Sequence, residues 1–242
     1  MNLSPDYIAY ETIGIIYVAF MIIMGIKTAI RYSELKDKIF LYAGWSFIGL
    51  GLPWVGEAIN FAGALLFGQV LSIEMWLVFT LVNIPVSHII FIVFVMRLLD
   101  LNPKTKKVIT SIYIIFWVSI EILFLIVIFT NPALLASYVN EYQLAWTPLG
   151  GLILVTSTIL VVIFYSLIGV HYWKSEDKKL HTQGKLIVIS ALIFTFSASL
   201  EVVFTPITIF IIISRVLGII FATLFYAGFI MPKWAERIFL NK

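Results

Sequence analysis

Long apolar runs separated by short polar segments make up most of the chain. A helix rises 1.5 Å per residue, so a hydrocarbon layer about 30 Å thick needs about 20 predominantly apolar residues. We predict transmembrane helices at residues 8–30, 39–67, 76–99, 108–129, 149–173, 186–204 and 208–230. The pattern therefore predicts an all-α integral membrane protein, folded as one seven-transmembrane-helix domain over residues 1–242.

Proline and glycine positions predict where two of these runs are interrupted. Gly51-Leu52-Pro53 lies inside the second run, and an internal proline removes a helical hydrogen bond, so we expect a kink there. The sixth and seventh runs are nearly continuous. One helix from Leu186 to Ile230 would be about twice the length that a bilayer needs. We therefore expect a tight turn at Thr205-Pro206.

Basic residues fall almost entirely at one end of the predicted bundle. The loops and tail at that end carry Lys27, Arg31, Lys36, Lys38, Arg97, Lys104, Lys106, Lys107, Lys174, Lys178, Lys179, Lys185, Lys233, Arg237 and Lys242. The N-terminus and the other loops have no Lys or Arg, and Arg215 lies inside the last span. The positive-inside rule predicts that the N-terminus is outside and the C-terminus is cytoplasmic. We expect a multi-pass protein of the cell membrane.

Composition supports a lipid environment and narrows the chemistry. Hydrophobic residues make up 62% of the chain, charged residues make up 12%, and the mean hydropathy is +1.06. A soluble domain needs more charge to cover its surface. Cysteine is absent, which excludes a disulfide framework, a thiolate metal site and a cysteine nucleophile. The chain has no basic tract with interleaved aromatic residues, so we expect no nucleic-acid partner. Its first apolar run lacks the basic flank and cleavage site of a signal peptide.

Five ionisable residues fall within the predicted spans. Such groups are costly in lipid and mark a functional site or an internal pair. They are Glu57, His88, Glu121, Glu201 and Arg215, without the groups in the first or last turn of a span, such as Glu11. None of the five lies deep in the cytoplasmic half. The sequence therefore predicts an outward-facing polar site.

Helical spacing places small and polar residues on stripes that should face the bundle interior. These stripes are Ser46, Gly49, Pro53, Glu57, Asn60 and Ala64 on the second span; Thr80, Asn83 and Ser87 on the third; and Ser190, Ser197, Glu201 and Thr205 on the sixth. They are explained either by close helix packing or by a ligand site. Both alternatives stay open at the level of sequence.

The sequence suggests different roles for the five ionisable residues. Glu201 and Arg215 flank a tight turn at similar depth, which predicts an ion pair between them. Glu57 and Glu121 have no evident cationic partner and are the favoured functional residues. Glu57 as a third member of the Glu201–Arg215 network is the alternative. For His88, a hydrogen-bonded core histidine and a proton-active one remain equal alternatives.

Several reaction classes lack the residues that they need. No lysine lies in the last span, which argues against a retinal Schiff base as in rhodopsins. His88 is the one histidine in the interior of a predicted span, since His171 and His181 are at the cytoplasmic side; one is too few for a buried zinc site. No His-Glu-x-x-His, Gly-x-Ser-x-Gly or phosphate-binding glycine loop occurs. We expect no enzyme activity, no catalytic residue, no metal and no cofactor.

The two halves of the chain show a weak likeness. Ile30-Arg31-Tyr32 precedes a charged loop and then a span with Glu57, and Val170-His171-Tyr172 precedes a charged loop and then a span with Glu201. A four-residue insertion is needed to match them. A three-plus-one-plus-three repeat of helices would favour a transporter. Alternating spans with basic inner loops would produce a similar pattern in any seven-span protein.

The last predicted helix leaves the membrane as Tyr226-Ala227-Gly228-Phe229-Ile230-Met231-Pro232-Lys233-Trp234. With seven spans and an external N-terminus, this layout resembles the membrane modules of prokaryotic seven-helix sensory receptors, including the seven-helix input domains of histidine kinases. The resemblance implies a receptor-like module. A cytoplasmic signalling domain, usual in those families, does not follow the last span, so a separate protein partner is implied.

The sequence thus favours a receptor or sensor with an outward-facing pocket, which binds a small molecule or a proton and acts through a membrane or cytoplasmic partner. The predicted pocket residues are Glu57, Asn60, Asn83, His88, Glu121, Glu201 and Arg215. A small carrier or channel for an ion or polar solute is the main alternative. A purely structural subunit of a larger complex is the third.

Overall fold

The computed structural model describes residues 3–139, 144–204 and 207–240, with side chains omitted at 202–204. Within this part of the chain, seven helices are long and apolar enough to cross a membrane. They correspond one to one with the seven predicted spans. The prediction of an all-α seven-helix bundle is therefore confirmed.

Some spans are single helices and others are built from two. The helices are α1 (Pro5–Leu35), α2 (Ile39–Gly51), α3 (Val55–Phe67), α4 (Ile73–Leu81), α5 (Asn83–Leu98), α6 (Pro103–Thr130), α7 (Pro148–Trp173), α8 (Lys178–Phe204), α9 (Thr208–Ile230) and α10 (Lys233–Phe239). The second span is α2 followed by α3, and the third is α4 followed by α5. A short helix, α10, follows the seventh span.

The predicted interruption of the second span is confirmed, because a 3-10 turn at Leu52–Trp54 separates α2 from α3. The third span is also broken, at Val82, which the sequence analysis did not predict. Pro85 lies four residues after Leu81 and has no N–H to donate to the Leu81 carbonyl. The predicted turn at Thr205-Pro206 lies outside the described residues.

Three helices begin earlier than predicted because each has a polar cap followed by proline. The side chains of Ser4, Asn102 and Thr147 accept hydrogen bonds from the backbone N–H groups three residues on, at 3.2, 2.8 and 3.2 Å. Proline at the first helical position is favoured because no N–H is required there. A prediction from the apolar pattern alone therefore underestimates the length of such helices.

The helices form a closed arrangement in which α1 contacts both α2 and α9. The hairpins α1–α2, α7–α8 and α8–α9 are the most extensively packed, and α5 joins the two halves through α2 and α7. Helix α6 lies at the periphery against α4 and α5. Many of its exposed side chains are large and apolar, including Ile112, Ile115, Ile122 and Phe129.

The bundle has two chemically different ends. One end carries the start of α1 and an antiparallel hairpin of β1 (Ala136–Tyr138) and β2 (Leu144–Trp146), and we call it the hairpin end. The other end, the basic end, carries the Lys- and Arg-rich loops and α10. There Lys179 pairs with Glu236 of α10 at 2.5 Å, and Lys178 donates to the carbonyl of Leu240 at 3.4 Å.

Glycine pairs allow two helix hairpins to approach closely near the basic end. A Cβ on Gly25 would lie 2.6 Å from the carbonyl oxygen of Gly44, and a Cβ on Gly184 would lie 2.5 Å from that of Gly169. A Cβ on Gly184 would also collide with the backbone nitrogen of Trp173. Backbone atoms cannot move aside as a flexible side chain can, so these helices pack at this distance only with glycine.

We expect Gly184→Ala to lower the free energy of unfolding by about 1–3 kcal/mol, as overpacking does. The matched control is Gly14→Ala, whose added Cβ would meet its nearest neighbours at 3.7 and 3.8 Å, which is ordinary contact. Alanine favours helix over glycine, so this control should keep or raise stability. Unfolding in detergent measures both. Equal effects from the two substitutions would contradict the close approach of α7 and α8.

A layer of fully buried aromatic side chains closes the bundle interior toward the basic end. We call Phe47, Phe94, Tyr165 and Phe225 the aromatic layer; each is at most 1% exposed. The ring of Phe225 lies 4.9 Å from that of Phe47 and 4.2 Å from that of Tyr165. Along their helices, Glu57, His88, Glu201 and Arg215 all lie on the hairpin-end side of this layer.

Candidate functional site

Arg215 is the centre of a buried ionic network that joins three spans. Its side chain is 3% exposed. Its Nη2 lies 2.5 Å from Glu57 Oε2 and 3.0 Å from Glu201 Oε1, and its Nη1 donates to Glu201 Oε2 at 3.2 Å. Helix α3 supplies Glu57, α8 supplies Glu201 and α9 supplies Arg215. One guanidinium therefore ties together helices that are distant in the sequence.

Further contacts fix the Glu201 carboxylate in place. The indole Nε1 of Trp54 donates to Oε1 at 2.8 Å, and the hydroxyl of Ser214 donates to Oε2 at 2.9 Å. The guanidinium of Arg215 lies 5.1 Å from the centre of the Trp54 ring, within cation–π range. Trp54 belongs to the 3-10 turn in the second span. The helix break thus brings the indole to the ionic network.

A third acidic residue, Glu11 of α1, lies beside the same arginine. Glu11 is 5% exposed. A Cβ on Gly14 would lie 3.7 Å from Glu11 Oε2 and 3.8 Å from Arg215 Nε, so both groups border the space that this glycine leaves open. Arg215 Nε has no hydrogen-bond partner among the described residues. The network therefore holds three carboxyl groups around one guanidinium.

Two adjoining cavities border this network. The larger has a volume of about 90 Å³ and lies between the second, third, fifth and sixth spans. The smaller, about 30 Å³, lies toward the start of α1 and the β-hairpin. Glu57, Trp146 and Glu201 line both. Trp146, which comes from β2, packs against Trp76 with ring centres 4.9 Å apart.

The walls of the larger cavity are mostly apolar, with polar groups at defined positions. Leu50, Ile84, Phe91, Leu154, Val161 and Phe194 supply the apolar surface. Ser46, Ser87, His88, Ser157 and Thr158 supply polar atoms in addition to the two carboxylates. A mostly apolar pocket with a few fixed polar groups is typical of a small-molecule site.

His88 lies in the wall of the larger cavity with both ring nitrogens engaged. Nδ1 is 2.6 Å from the Tyr113 hydroxyl, and Nε2 is 2.6 Å from the Ser157 hydroxyl. The ring stacks on Trp117 at 3.9 Å with a 14° angle between the planes. His88 is 4% exposed. These contacts favour the hydrogen-bonded core histidine over the proton-active one.

The structure brings together four of the seven predicted pocket residues around the smaller cavity: Glu57, Asn60, Glu201 and Arg215. The predicted Glu201–Arg215 ion pair is confirmed. Glu57 also pairs with Arg215, so the favoured interpretation that Glu57 lacks a cationic partner is wrong. The structure supports the alternative, in which Glu57 is a third member of the Glu201–Arg215 network. Asn60 Oδ1 accepts a hydrogen bond from the N–H of Leu71 at 2.8 Å.

Two predicted pocket residues, Asn83 and Glu121, line neither of these cavities. The side-chain amide of Asn83 donates a hydrogen bond to the carbonyl of Phe79 at 3.0 Å. It therefore supplies a partner for a backbone carbonyl next to the break in the third span. Glu121 is half-buried on the peripheral helix α6, and its Oε2 has no hydrogen-bond partner among the described residues. Their helical faces, rather than their depth in the membrane, separate them from the site.

Glu11, Tyr10, Trp54 and Trp146 contribute to the site and were missed by sequence analysis. Glu11 lies near the end of a predicted span and is therefore not among the predicted pocket residues. Since α1 begins at Pro5, Glu11 lies nearly two turns inside the helix. The buried face of α1 runs through Tyr7, Tyr10, Glu11, Gly14, Tyr17, Val18 and Met21. Gly14, one turn after Glu11 on the same face, is the sequence feature that could have indicated that Glu11 faces the bundle interior.

No protein-family model, curated protein or solved structure matches the chain. The likeness to seven-helix sensory modules therefore rests on layout and on the exit of the last helix alone.

Proposed function

We propose that the chain is a seven-helix receptor or sensor module that binds a small molecule between its helices and signals through a separate protein partner. The observation that carries the proposal is the larger cavity, whose apolar wall ends at the buried Glu57–Arg215–Glu201 network. A ligand in this cavity would contact carboxylates that hold three spans together. Binding is thereby connected to helix packing.

Coupling of this kind requires that the ligand bind two arrangements of the bundle with different affinity. The network provides the differential contact, because a group that competes with Arg215 for Glu57 or Glu201 alters the link between α3, α8 and α9. The broken second span provides a place where helix direction can change without breaking a continuous helix. Both features lie in the wall of the same cavity.

A carrier is the second candidate, supported by a likeness between the two halves. The first hairpin packs through Gly25 and Gly44 and the second through Gly169 and Gly184. The same number of residues separates Gly25 from Glu57 as separates Gly169 from Glu201. The aromatic layer argues against a continuous polar path in this conformation. For this reason the receptor is the preferred proposal.

Thermal unfolding in nanodiscs tests the proposal with a panel of amines, alcohols and carboxylates of three to six heavy atoms. At least one class should raise the melting temperature of the wild type. Ala198→Leu places added volume in the larger cavity and should abolish that increase. Spin labels at Leu35→Cys and Glu176→Cys, both exposed at the basic end, should change their separation on binding. No stabilisation by any compound would reject the proposal.

Uptake into proteoliposomes separates the two candidates. The compound that stabilises the protein should bind without accumulating inside the vesicles if the chain is a receptor. Accumulation above that of empty liposomes would instead assign the chain to the carriers. Glu57→Gln is the control variant, because it alters the ionic network whether the chain is a receptor or a carrier.

The proposed orientation, with the hairpin end outside, is open to a direct test. Single cysteines at Ser137 and Glu176 are exposed at opposite ends of this cysteine-free chain. A membrane-impermeant maleimide added to intact cells should label position 137 and leave 176 unlabelled until the membrane is opened. The reverse pattern would overturn the orientation.

A further inference from the structure

The buried network carries more acidic than basic groups. Glu11, Glu57 and Glu201 lie around Arg215, and among the described residues no other Lys or Arg lines the two cavities. Charges removed from water are stable only when paired. If all three carboxyls are ionised, two negative charges remain after Arg215 is counted. Protons, a bound cation or one of each must neutralise them.

An independent feature of the smaller cavity is the unused hydroxyl of Tyr10. Tyr10 is 6% exposed and lines this cavity. Its Oη has no hydrogen-bond partner among the described residues. A buried hydroxyl without a partner costs about 1–3 kcal/mol, and it can accept a hydrogen bond as well as donate one. The Tyr10 hydroxyl thus faces the same space as the surplus carboxylates.

The chemistry of the lining selects an organic cation over a metal ion or an anion. No three His, Asp or Glu side chains in the described part of the chain are arranged to hold a metal ion. An anion would have to compete with two carboxylates already bound to Arg215. An ammonium group has three N–H donors, and carboxylate and hydroxyl oxygens can accept hydrogen bonds from them. Trp76 and Trp146 add aromatic surface suited to a cation.

The adjoining cavities also indicate the size of the ligand. The smaller one, about 30 Å³, has room for one water-sized group such as an ammonium. The larger one, about 90 Å³, is smaller than the roughly 150 Å³ cavity that holds benzene in other proteins. It therefore suits a short apolar chain. Because both are lined by Glu57, Glu201 and Trp146, one molecule can occupy both.

We propose that the ligand class of this site is a small primary amine, with its ammonium group in the smaller cavity against Tyr10 and the carboxylates and its apolar chain in the larger cavity. The assignment rests on the proposed function and specifies its ligand. The ammonium neutralises one of the two negative charges that Arg215 leaves uncompensated, so that a single proton on the carboxyl groups is enough to neutralise the other. It also provides the missing hydrogen-bond partner of Tyr10.

Three four-carbon probes of nearly equal size test the assignment: n-butylammonium, 1-butanol and butanoate. Their dissociation constants for the full chain in nanodiscs are measured by tryptophan fluorescence and calorimetry. We expect butylammonium to bind at least ten-fold more tightly than either other probe. Equal affinity for butanol would show that the carboxyls carry their own protons and would overturn the assignment. Preference for butanoate, or binding of none of the three, would also overturn it.

Tyr10→Phe is the decisive variant, because it removes an oxygen that has no partner in the described structure. It should keep the melting temperature while weakening butylammonium binding several-fold and leaving butanol binding unchanged. Glu236→Gln at the basic end is the control and should change neither affinity. If Tyr10→Phe leaves butylammonium affinity unchanged, the ammonium position is wrong. Stabilisation of the wild type by neutral compounds alone would reject the amine and leave the receptor proposal standing.

Discussion

Arg215→Gln should destabilise the protein more than any other single change in the ionic network, by about 3–5 kcal/mol. The substitution leaves Glu57 and Glu201 without the guanidinium that they contact, and it leaves Glu11 without the cation beside it. Glutamine can donate a hydrogen bond but cannot supply the charge. Stability is measured by thermal or SDS-induced unfolding in detergent micelles near neutral pH. Arg237→Gln, an exposed change at the basic end, should shift the result by less than about 0.5 kcal/mol.

The acidic partners should behave differently from the arginine. Glu57→Gln and Glu201→Gln each leave Arg215 paired with the other carboxylate, so each should cost less than Arg215→Gln. Combining Glu201→Gln with Arg215→Gln should restore only part of the stability, because Glu57 still lacks a cation. Adding Glu57→Gln to that pair should restore most of it. If Arg215→Gln costs no more than Glu201→Gln, the shared role of the guanidinium is wrong.

Phe225→Ala is expected to produce the other large loss, about 3–5 kcal/mol, by opening a void in the aromatic layer. Phe225 is 1% exposed and contacts the rings of Phe47 and Tyr165. In a membrane, helix association depends on such packing because lipid is as apolar as the side chains. Unfolding in detergent gives the size of the loss.

Phe196→Ala is the matched control for the aromatic layer. Phe196 is 59% exposed on α8, so its removal leaves lipid or detergent to fill the space. Its effect should stay below about 1 kcal/mol. Phe225→Leu, which keeps most of the volume, should recover much of the loss in Phe225→Ala. Equal losses at positions 196 and 225 would show that the layer contributes no special packing.

The spans could be predicted because length and apolarity respond to one physical variable, the thickness of the hydrocarbon layer. The Glu201–Arg215 pair was also predictable, since both residues flank one turn. The pairing of Glu57 with Arg215 could be stated only as an alternative, because it depends on which helices are neighbours. That arrangement is determined by contacts such as Gly25–Gly44 and by the aromatic layer, whose residues look like any other apolar position in the sequence.

Glu11 and Glu121 show that depth along a span does not predict whether a side chain faces the site. Depth along the span favoured Glu121 and disfavoured Glu11. The structure places Glu11 beside Arg215 and places Glu121 on the periphery, because rotation about the helix axis decides what a side chain faces. In a membrane helix with apolar residues on every side, the hydrophobic pattern gives little information about that rotation.

Helix α8 connects the two ends of the molecule mechanically. It carries Glu201 near its last turn and Lys179 in its first, about 33 Å apart along the axis. Lys179 and Lys178 hold the tail helix α10. A tilt of α8 by about 5° around the ionic network would move its far end by about 3 Å at this length. The tail helix would travel with it, so a displacement that is small at the ionic network becomes about 3 Å at the basic end.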